Sequence, residues 1–314
     1  MSNARVEWVA EDPASLRVRE LAERVAPAAT NLLITGESGT GKDHLARYIH
    51  ERGPRHDAPY QKIECASLPP ELVESELFGH ERGAFTGADE AKRGRLELAG
   101  RGTLVLDEVA ALGLPVQAKF LRVIEERHFE HLGGTEPLRM DARVIALTNS
   151  NLERAVAEHR FREDLFFRLN VLTIEVPPLR GRPADIPPLV AHILRRLGPI
   201  HGRPEACLDA EAQAVLSAYG WPGNVRELKN VLERALVFAQ QDTLGVADLP
   251  ESVRAAASSE SSVVPGNLRS LEAIEKEAIA ATLEATRYKI TRAAEILGIS
   301  RKTLLEKRKR YGLL

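Results

Sequence analysis

Cysteine is scarce in this chain. Cys65 and Cys207 are the only two in 314 residues, and neither stands at metal-ligand spacing. A disulfide scaffold and a thiolate metal site are therefore excluded, and the pair suits a reduced cytoplasm as small buried apolar side chains. Long apolar runs are also missing: none approaches the roughly 20 residues that span a bilayer, and no secretory leader is visible. A cytoplasmic protein with no membrane partner is expected. No internal repeat is present, and charges of the two signs nearly cancel, at a formal −2. What is there is a 44% hydrophobic chain long enough for two or three domains.

The pattern divides the chain. Residues 1–13 are too few for a domain, and Ala14–Ala26 reads as an amphipathic helix. Strand candidates follow at Leu32–Thr35, Tyr60–Glu64, Thr103–Leu106, Arg143–Thr148 and Leu172–Val176, with helical stretches between them. That alternation predicts an α/β domain over 14–180 with a parallel sheet covered on both faces. Pro177–Pro178 and Gly181–Arg182–Pro183 break the chain, and 181–254 reads as an all-helical lid with a turn at Tyr219–Asn224. The stretch 255–267, rich in Ala, Ser and Gly, reads as a linker before a helical tail at 268–314.

The most informative stretch is NLLITGESGTGKDHLARYIHE, Asn31–Glu51. Gly36, Gly41 and Lys42 have the spacing of a phosphate-binding loop between a strand and a helix. Such glycines let the backbone N–H groups of Gly36, Glu37, Ser38, Gly39, Thr40 and Gly41 curl around a phosphate, and the helix turns its positive end toward it. Lys42 adds a point charge for the terminal phosphates. The competing reading is an ordinary glycine turn. Asp43 stands where a Ser or Thr usually ligates magnesium; it either holds the ion through water or simply begins the helix, where a carboxylate is favoured.

Gly102–Glu108, GTLVLDE, is a buried strand ending in two carboxylates. At the carboxyl end of a parallel sheet, beside a phosphate loop, Asp107 would hold Mg2+ through its water shell and Glu108 would orient the attacking water. An acidic pair also caps helices in many folds. Thr148–Asn149 ends another strand, from which Asn149 could sense a terminal phosphate. Phe161–Asn170 carries Arg162 and Arg168; Asp164 and Arg168 at i,i+4 would pair along a helix, or the arginines would act in trans as fingers on a neighbour's phosphate. In His80–Gly94 the glycines surround Phe85 in a polar setting. Either Phe85 plugs its own core, or a hinged loop carries it with Thr86 to a protein partner.

Six segments occur here in a familiar order: GESGTGKD (36–43), ELFGHERGAFTGA (76–88), GTLVLDE (102–108), FREDLFFRLNVL (161–172), PPLRGRPADI (177–186) and WPGNVRELKN (221–230). They strongly resemble the AAA+ domain of sigma-54-dependent transcriptional activators, the bacterial enhancer-binding proteins, over about residues 14–250. The tail resembles a Fis-like helix-turn-helix domain. The resemblance implies a ring, usually a hexamer, with ATP and Mg2+ held between subunits. It implies that Asp107 and Glu108 are the acidic pair of the hydrolytic site, Arg162 and Arg168 the finger arginines, and Arg226 the lid residue that touches nucleotide. The hexapeptide Gly83, Ala84, Phe85, Thr86, Gly87 and Ala88 would contact sigma-54 in RNA polymerase holoenzyme and drive promoter opening. A DNA-binding repressor that keeps the AAA+ scaffold without engaging sigma-54 is the alternative.

Three departures from that family stand out. Glu64 occupies a position where the family commonly has Asn; it would lie near Glu108, where two carboxylates repel and raise an apparent pKa. Gly181 replaces a common acidic residue, which would loosen the lid hinge. Most members carry an N-terminal sensory domain, so control is expected from a regulatory protein in trans, or the chain is a truncated form.

The tail from Arg287 onward holds nine basic residues against two acidic, which suggests nucleic acid or else a solvated face. Leu271, Ile274, Ala278, Ala281 and Ala285 form a stripe suited to pairing with a second copy. Thr291–Leu297, a turn at Gly298–Ser300 and Arg301–Arg310 fit helix-turn-helix spacing, or a simple helical hairpin. Ser300 would cap the second helix, placing Arg301, Lys302 and Thr303, with Thr291 from the first, against double-stranded DNA upstream of promoters. Arg308, Lys309 and Arg310 would meet phosphates or solvent.

Overall fold

A computed structural model describes residues 6–260, 271–286 and 288–312. It divides at Ala257–Ser258 into two compact units. The first unit is built on five parallel strands: β1 (Leu32–Thr35), β2 (Tyr60–Glu64), β3 (Thr103–Asp107), β4 (Arg143–Thr148) and β5 (Leu172–Glu175), in the order β2-β3-β4-β1-β5. These are the expected strands, with β3 one residue longer and β5 one shorter. The central strands β1, β3 and β4 are largely apolar without alternation because both faces are buried, whereas the edge strands β2 (YQKIE) and β5 (LTIE) carry polar, more exposed residues. Leu33, Leu104, Leu106, Val144 and Ala146 enter one core, while Leu32, Ile34, Val105, Ile145 and Leu147 enter the other. The period-2 geometry of a strand sends neighbours to opposite layers.

Helices α1 (Pro13–Val25) and α2 (Lys42–Arg52) supply residues to the second of these cores. Helices α3 (Pro70–Phe78), α4 (Arg95–Ala99), α5 (Leu114–Glu126), α6 (Leu152–Ala157) and α7 (Glu163–Leu169) supply the first. Asp12 caps α1, its carboxylate accepting from Ala14 N at 2.9 Å, and Pro13 opens the helix where its missing N–H costs nothing. Two short antiparallel ladders project from this frame: Gly79–His80 with Lys92–Arg93, and His128–Phe129 with Leu138–Arg139.

The lid packs α8 (Ile186–Leu197), α9 (Ala210–Ala218) and α10 (Asn224–Phe238) around Trp221, Leu228 and Leu232. It is not purely helical, since Cys207–Leu208 pairs in parallel with Thr243–Leu244. Helix α11 (Glu251–Glu260) runs into the stretch expected to be a linker; residues 261–267 of that stretch lie outside the described residues.

The second unit holds α12 (Leu271–Ala285), α13 (Ile290–Ile296) and α14 (Arg301–Arg310) around Ile279, Leu283, Ala293, Ala294 and Leu304. The buried face of α12 is thus Ile279 and Leu283, while Ala278 and Ala281 of the expected stripe are exposed. The side chains of Leu271, Ile274 and Ala285 lie outside the described residues.

Candidate nucleotide site and partner loop

The carboxyl ends of β1, β3 and β4 converge on a cavity of about 760 Å³ shared with the lid. Ser38, Gly39, Thr40, Gly41, Lys42, Asp43, Asp107, Glu108, Asn149 and Arg226 line it. Gly36 and Glu37 do not. The loop is held open by its glycines where it meets the lid: Gly39 has φ +80, and a Cβ there would stand 2.4 Å from the Gly223 carbonyl. Gly41 then starts α2, whose free N–H groups face the cavity.

Lys42 is 7% exposed. Its Nζ donates to the carbonyls of Gly36 (2.8 Å) and Glu37 (3.1 Å) and lies 3.8 Å from Glu108. Burial lowers its pKa, and the nearby Glu108 and Asp107 carboxylates oppose that shift. The ammonium therefore sits partly desolvated at the mouth of the loop, suited to a phosphate.

Glu37 points to the lid. Both of its oxygens accept from the Arg180 guanidinium and one also accepts from Asn224 Nδ2 at 3.2 Å. The Arg180 hydrogen bonds, then that of Asn224, pull its pKa down to about 2. Asn224 is fully buried at φ +54, a left-handed position that asparagine tolerates. Its Oδ1 accepts from Leu179 N (2.7 Å) and its Nδ2 donates to the Ser38 carbonyl (3.0 Å). Arg226 donates to Ser38 Oγ at 2.8 Å, and Arg182 donates to the Thr40 carbonyl at 2.7 Å. Asp185, buried beside Arg182 at 3.7 Å, accepts from Glu11 N and Asp12 N at 2.8 Å and from Ser15 Oγ. The hinge that Gly181 was expected to loosen is thus tied to the phosphate loop on both sides of that glycine.

Asp107 ends β3, and Glu108 follows in a left-handed conformation at φ +54. Glu108 Oε2 accepts from the Asn149 backbone N–H at 3.0 Å, which joins the ends of β3 and β4. Asp107 Oδ2 lies 2.8 Å from Lys62 Nζ, and the same ammonium is 3.2 Å from Asp43 and 3.4 Å from Glu64. Burial works against that charge, yet the contacts with Asp107 and Asp43 outweigh it and the Lys62 pKa is raised. Glu64 stands opposite Asp107 in register, lines the same cavity as Glu108, and pairs with this lysine. Asp107 and Asp43 offer oxygen ligands of the kind a hard divalent ion such as Mg2+ takes. Among the described residues no three acidic, histidine or cysteine side chains are grouped closely enough to hold a metal by themselves, so phosphate and water would complete its shell. Sequence reading passed over Lys62, although its i,i+2 spacing from Glu64 already put both on one face of β2.

The hexapeptide projects beyond the Gly79–His80 ladder. Phe85 is 42% exposed, its ring edge-on to His80 with centroids 4.9 Å apart. It neither plugs a core nor floats free. Gly83 N donates to the Ala88 carbonyl at 2.8 Å, closing the loop; Ala88 is buried, Ala84 half-buried, and Thr86 and Gly87 are exposed. At the base, Glu81 N donates to the Leu132 carbonyl at 3.0 Å. The two ring nitrogens of His131 lie 2.7 Å from Glu81 and 3.1 Å from Glu97, a clip from the second ladder onto the loop base and α4.

Comparison with known proteins matches residues 8–175 to the sigma-54 interaction domain, 180–266 to an AAA+ ATPase lid domain and 270–311 to the bacterial regulatory protein, Fis family. Regulatory protein AtoC of Escherichia coli is 43% identical over 307 residues, covering 96% of this chain and 67% of AtoC. This chain belongs to the sigma-54 interaction family. Response regulator protein PilR of Pseudomonas aeruginosa is 42% identical, over 96% of the chain and 69% of PilR. The crystal structure of NtrX from Brucella abortus in complex with ATP superposes with a TM-score of 0.72 at 37% identity, over 98% of this chain and 69% of NtrX. The NtrX complex with ADP gives 0.73 at 35% identity, over 99% and 70%. The chain therefore spans about two thirds of the length of these relatives.

In this family member, Arg162 is the N-cap residue of α7 and Arg168 lies in its last turn, and neither lines the cavity. Arg162 grips Asp164 (3.0 and 2.7 Å), and Arg168 grips Glu125 (3.1 and 2.9 Å). The Asp164–Arg168 pair suggested by i,i+4 spacing is not the one that forms, because Asp164 turns back to the helix start. In the second unit, Ser300 Oγ accepts from Thr303 N at 3.1 Å and caps α14. Arg301, Lys302 and Thr291 are exposed and Thr303 half-buried. Tyr311 donates to Glu275 at 2.6 Å, and Lys307 pairs with the same carboxylate, fastening α14 to α12. Among the described residues no helix is long and apolar enough to cross a membrane.

Proposed function

We propose that this chain is an ATP-hydrolysing transcriptional activator, which binds DNA upstream of a promoter and remodels sigma-54 RNA polymerase holoenzyme. The reading is carried by one conjunction: a carboxylate, Glu108, that reaches both Lys42 of the phosphate loop and the backbone at Asn149, in a chain that presents Phe85 to solvent.

In this mechanism the N–H groups of residues 38–42, which line the cavity, bind the β- and γ-phosphates, and Lys42 exchanges its carbonyl partners for their oxygens. Asp107, with Asp43 behind it, would hold Mg2+, which when bound neutralises phosphate charge. Glu108 aims a water at the γ-phosphorus and takes its proton as the bond to the bridging oxygen breaks, leaving ADP and phosphate. Asn149, sharing Glu108 through its own backbone, registers whether the γ-phosphate is present. Arg226 approaches the phosphates from the lid, and Arg162 and Arg168 reach a neighbouring subunit's site in a ring, expected to be a hexamer. The energy moves the Gly83–Ala88 loop against sigma-54, while Arg301, Lys302 and Thr303 hold DNA.

In vitro transcription with sigma-54 polymerase, ATP and purified protein tests this reading. Phe85→Ala should abolish open-promoter formation while leaving DNA binding and ATP turnover intact. Unaltered transcription with Phe85→Ala would point to a repressor on an AAA+ scaffold instead.

A further inference from the structure

Three carboxylates of the cavity lining, Asp43, Glu64 and Asp107, share one ammonium. Lys62 Nζ is 2.8 Å from Asp107, 3.2 Å from Asp43 and 3.4 Å from Glu64. Without that cation, Asp107 and Asp43 would repel across the cavity floor. With it in place, a divalent ion cannot approach Asp107 Oδ2 without moving the lysine. Glu64 offers the exit. It lies on the same face of β2 as Lys62, two residues on, and its side chain is 62% exposed. A rotation of the flexible lysine stem would trade Asp107 for Glu64 while keeping an ion pair.

We propose that Lys62 is a positioning residue, a resident counter-cation that holds Asp43 and Asp107 ready and swings to Glu64 when the metal–nucleotide enters. The inference rests on the reading of this cavity as an Mg2+–ATP site. It gives Glu64 a defined task as acceptor of the displaced ammonium.

Binding of Mn2+, read by electron paramagnetic resonance on the full chain with and without ADP, tests it. In Lys62→Met the metal no longer competes with a lysine. Mn2+ should therefore bind the nucleotide-free protein about tenfold tighter than wild type, the worth of one charge-assisted contact. Glu64→Gln removes the landing site, so Mn2+ should bind the ADP complex several-fold more weakly, but this loss should vanish in the Lys62→Met background. Unchanged affinity in Lys62→Met, or additive effects in the double variant, would overturn the proposal. The unaltered protein supplies a second readout that needs no substitution. Acetylation of Lys62 by acetic anhydride, followed by mass spectrometry, should rise when Mg2+ joins bound ADP, and unchanged labelling would refute the swing. Should wild type fail to bind ADP in a Mg2+-dependent way, the ATPase reading itself would fall, which is a distinguishable result.

Discussion

At the scale of single residues, the phosphate loop depends on partners contributed by the lid. Asn224 satisfies Leu179 N and the Ser38 carbonyl from a fully buried, left-handed position. Asn224→Ala leaves both groups unpaired and adds backbone strain, so unfolding stability should fall by about 2–4 kcal/mol, measured by urea denaturation. Glu37 gives a pH signature. Its folded pKa of about 2 is below its unfolded value, so the Arg180 contact contributes stability above about pH 4.5 that is lost as pH falls toward 2. The difference in urea midpoint between wild type and Arg180→Ala should therefore be full at pH 6 and shrink on acidification. A difference that stayed constant to pH 2.5 would contradict the assignment.

At the scale of elements, the hexapeptide loop is fastened at its base by His131. Burial disfavours the charged ring, but its hydrogen bonds to Glu81 and Glu97 outweigh that, and the pKa is raised from 6.5. A raised histidine stabilises fully below its unfolded pKa, and the contribution disappears as pH rises through the folded value. Amide exchange over residues 79–88, corrected for intrinsic rates, should accelerate above neutrality in wild type. His131→Ala should exchange fast at every pH. The central strands were legible in sequence because a parallel sheet buried on both faces is written as short, nearly uninterrupted apolar runs. The edge strands Tyr60–Glu64 and Leu172–Glu175 were legible from their place in the strand–helix alternation. The loop's environment was not. Glycine spacing cannot say that Phe85 rests on the ring of His80, a contact made through the ladder of Gly79–His80 with Lys92–Arg93.

At the scale of the whole molecule, Arg162 and Arg168 are exposed and lie outside their own chain's cavity. If they serve a neighbour, two defective chains should repair each other. Lys42→Ala keeps the arginines and loses its own site, whereas Arg168→Ala keeps its site and loses the arginine. Each alone should hydrolyse ATP at under about a hundredth of the wild-type rate, since a finger is worth roughly 10³–10⁵. An equimolar mixture should recover a measurable fraction, and a mixture no better than its parts would argue for action within one subunit.

By itself the sequence determined the α/β plan, the phosphate loop, the acidic strand end and the helix-turn-helix. Each of these is local, set by residues a few positions apart whose spacing dictates a strand, a turn or a cap. Only the tertiary structure decided where the charges go. Asp164 turned to Arg162 instead of Arg168, Glu37 to Arg180, and Glu64 to Lys62. The Glu37 pair depends on a lid residue more than a hundred positions away, and the Lys62–Asp107 pair depends on the register of β2 against β3. Spacing along the chain puts Lys62 and Glu64 on one face of β2, but which charges meet across strands and between sheet and lid is decided by distance in space.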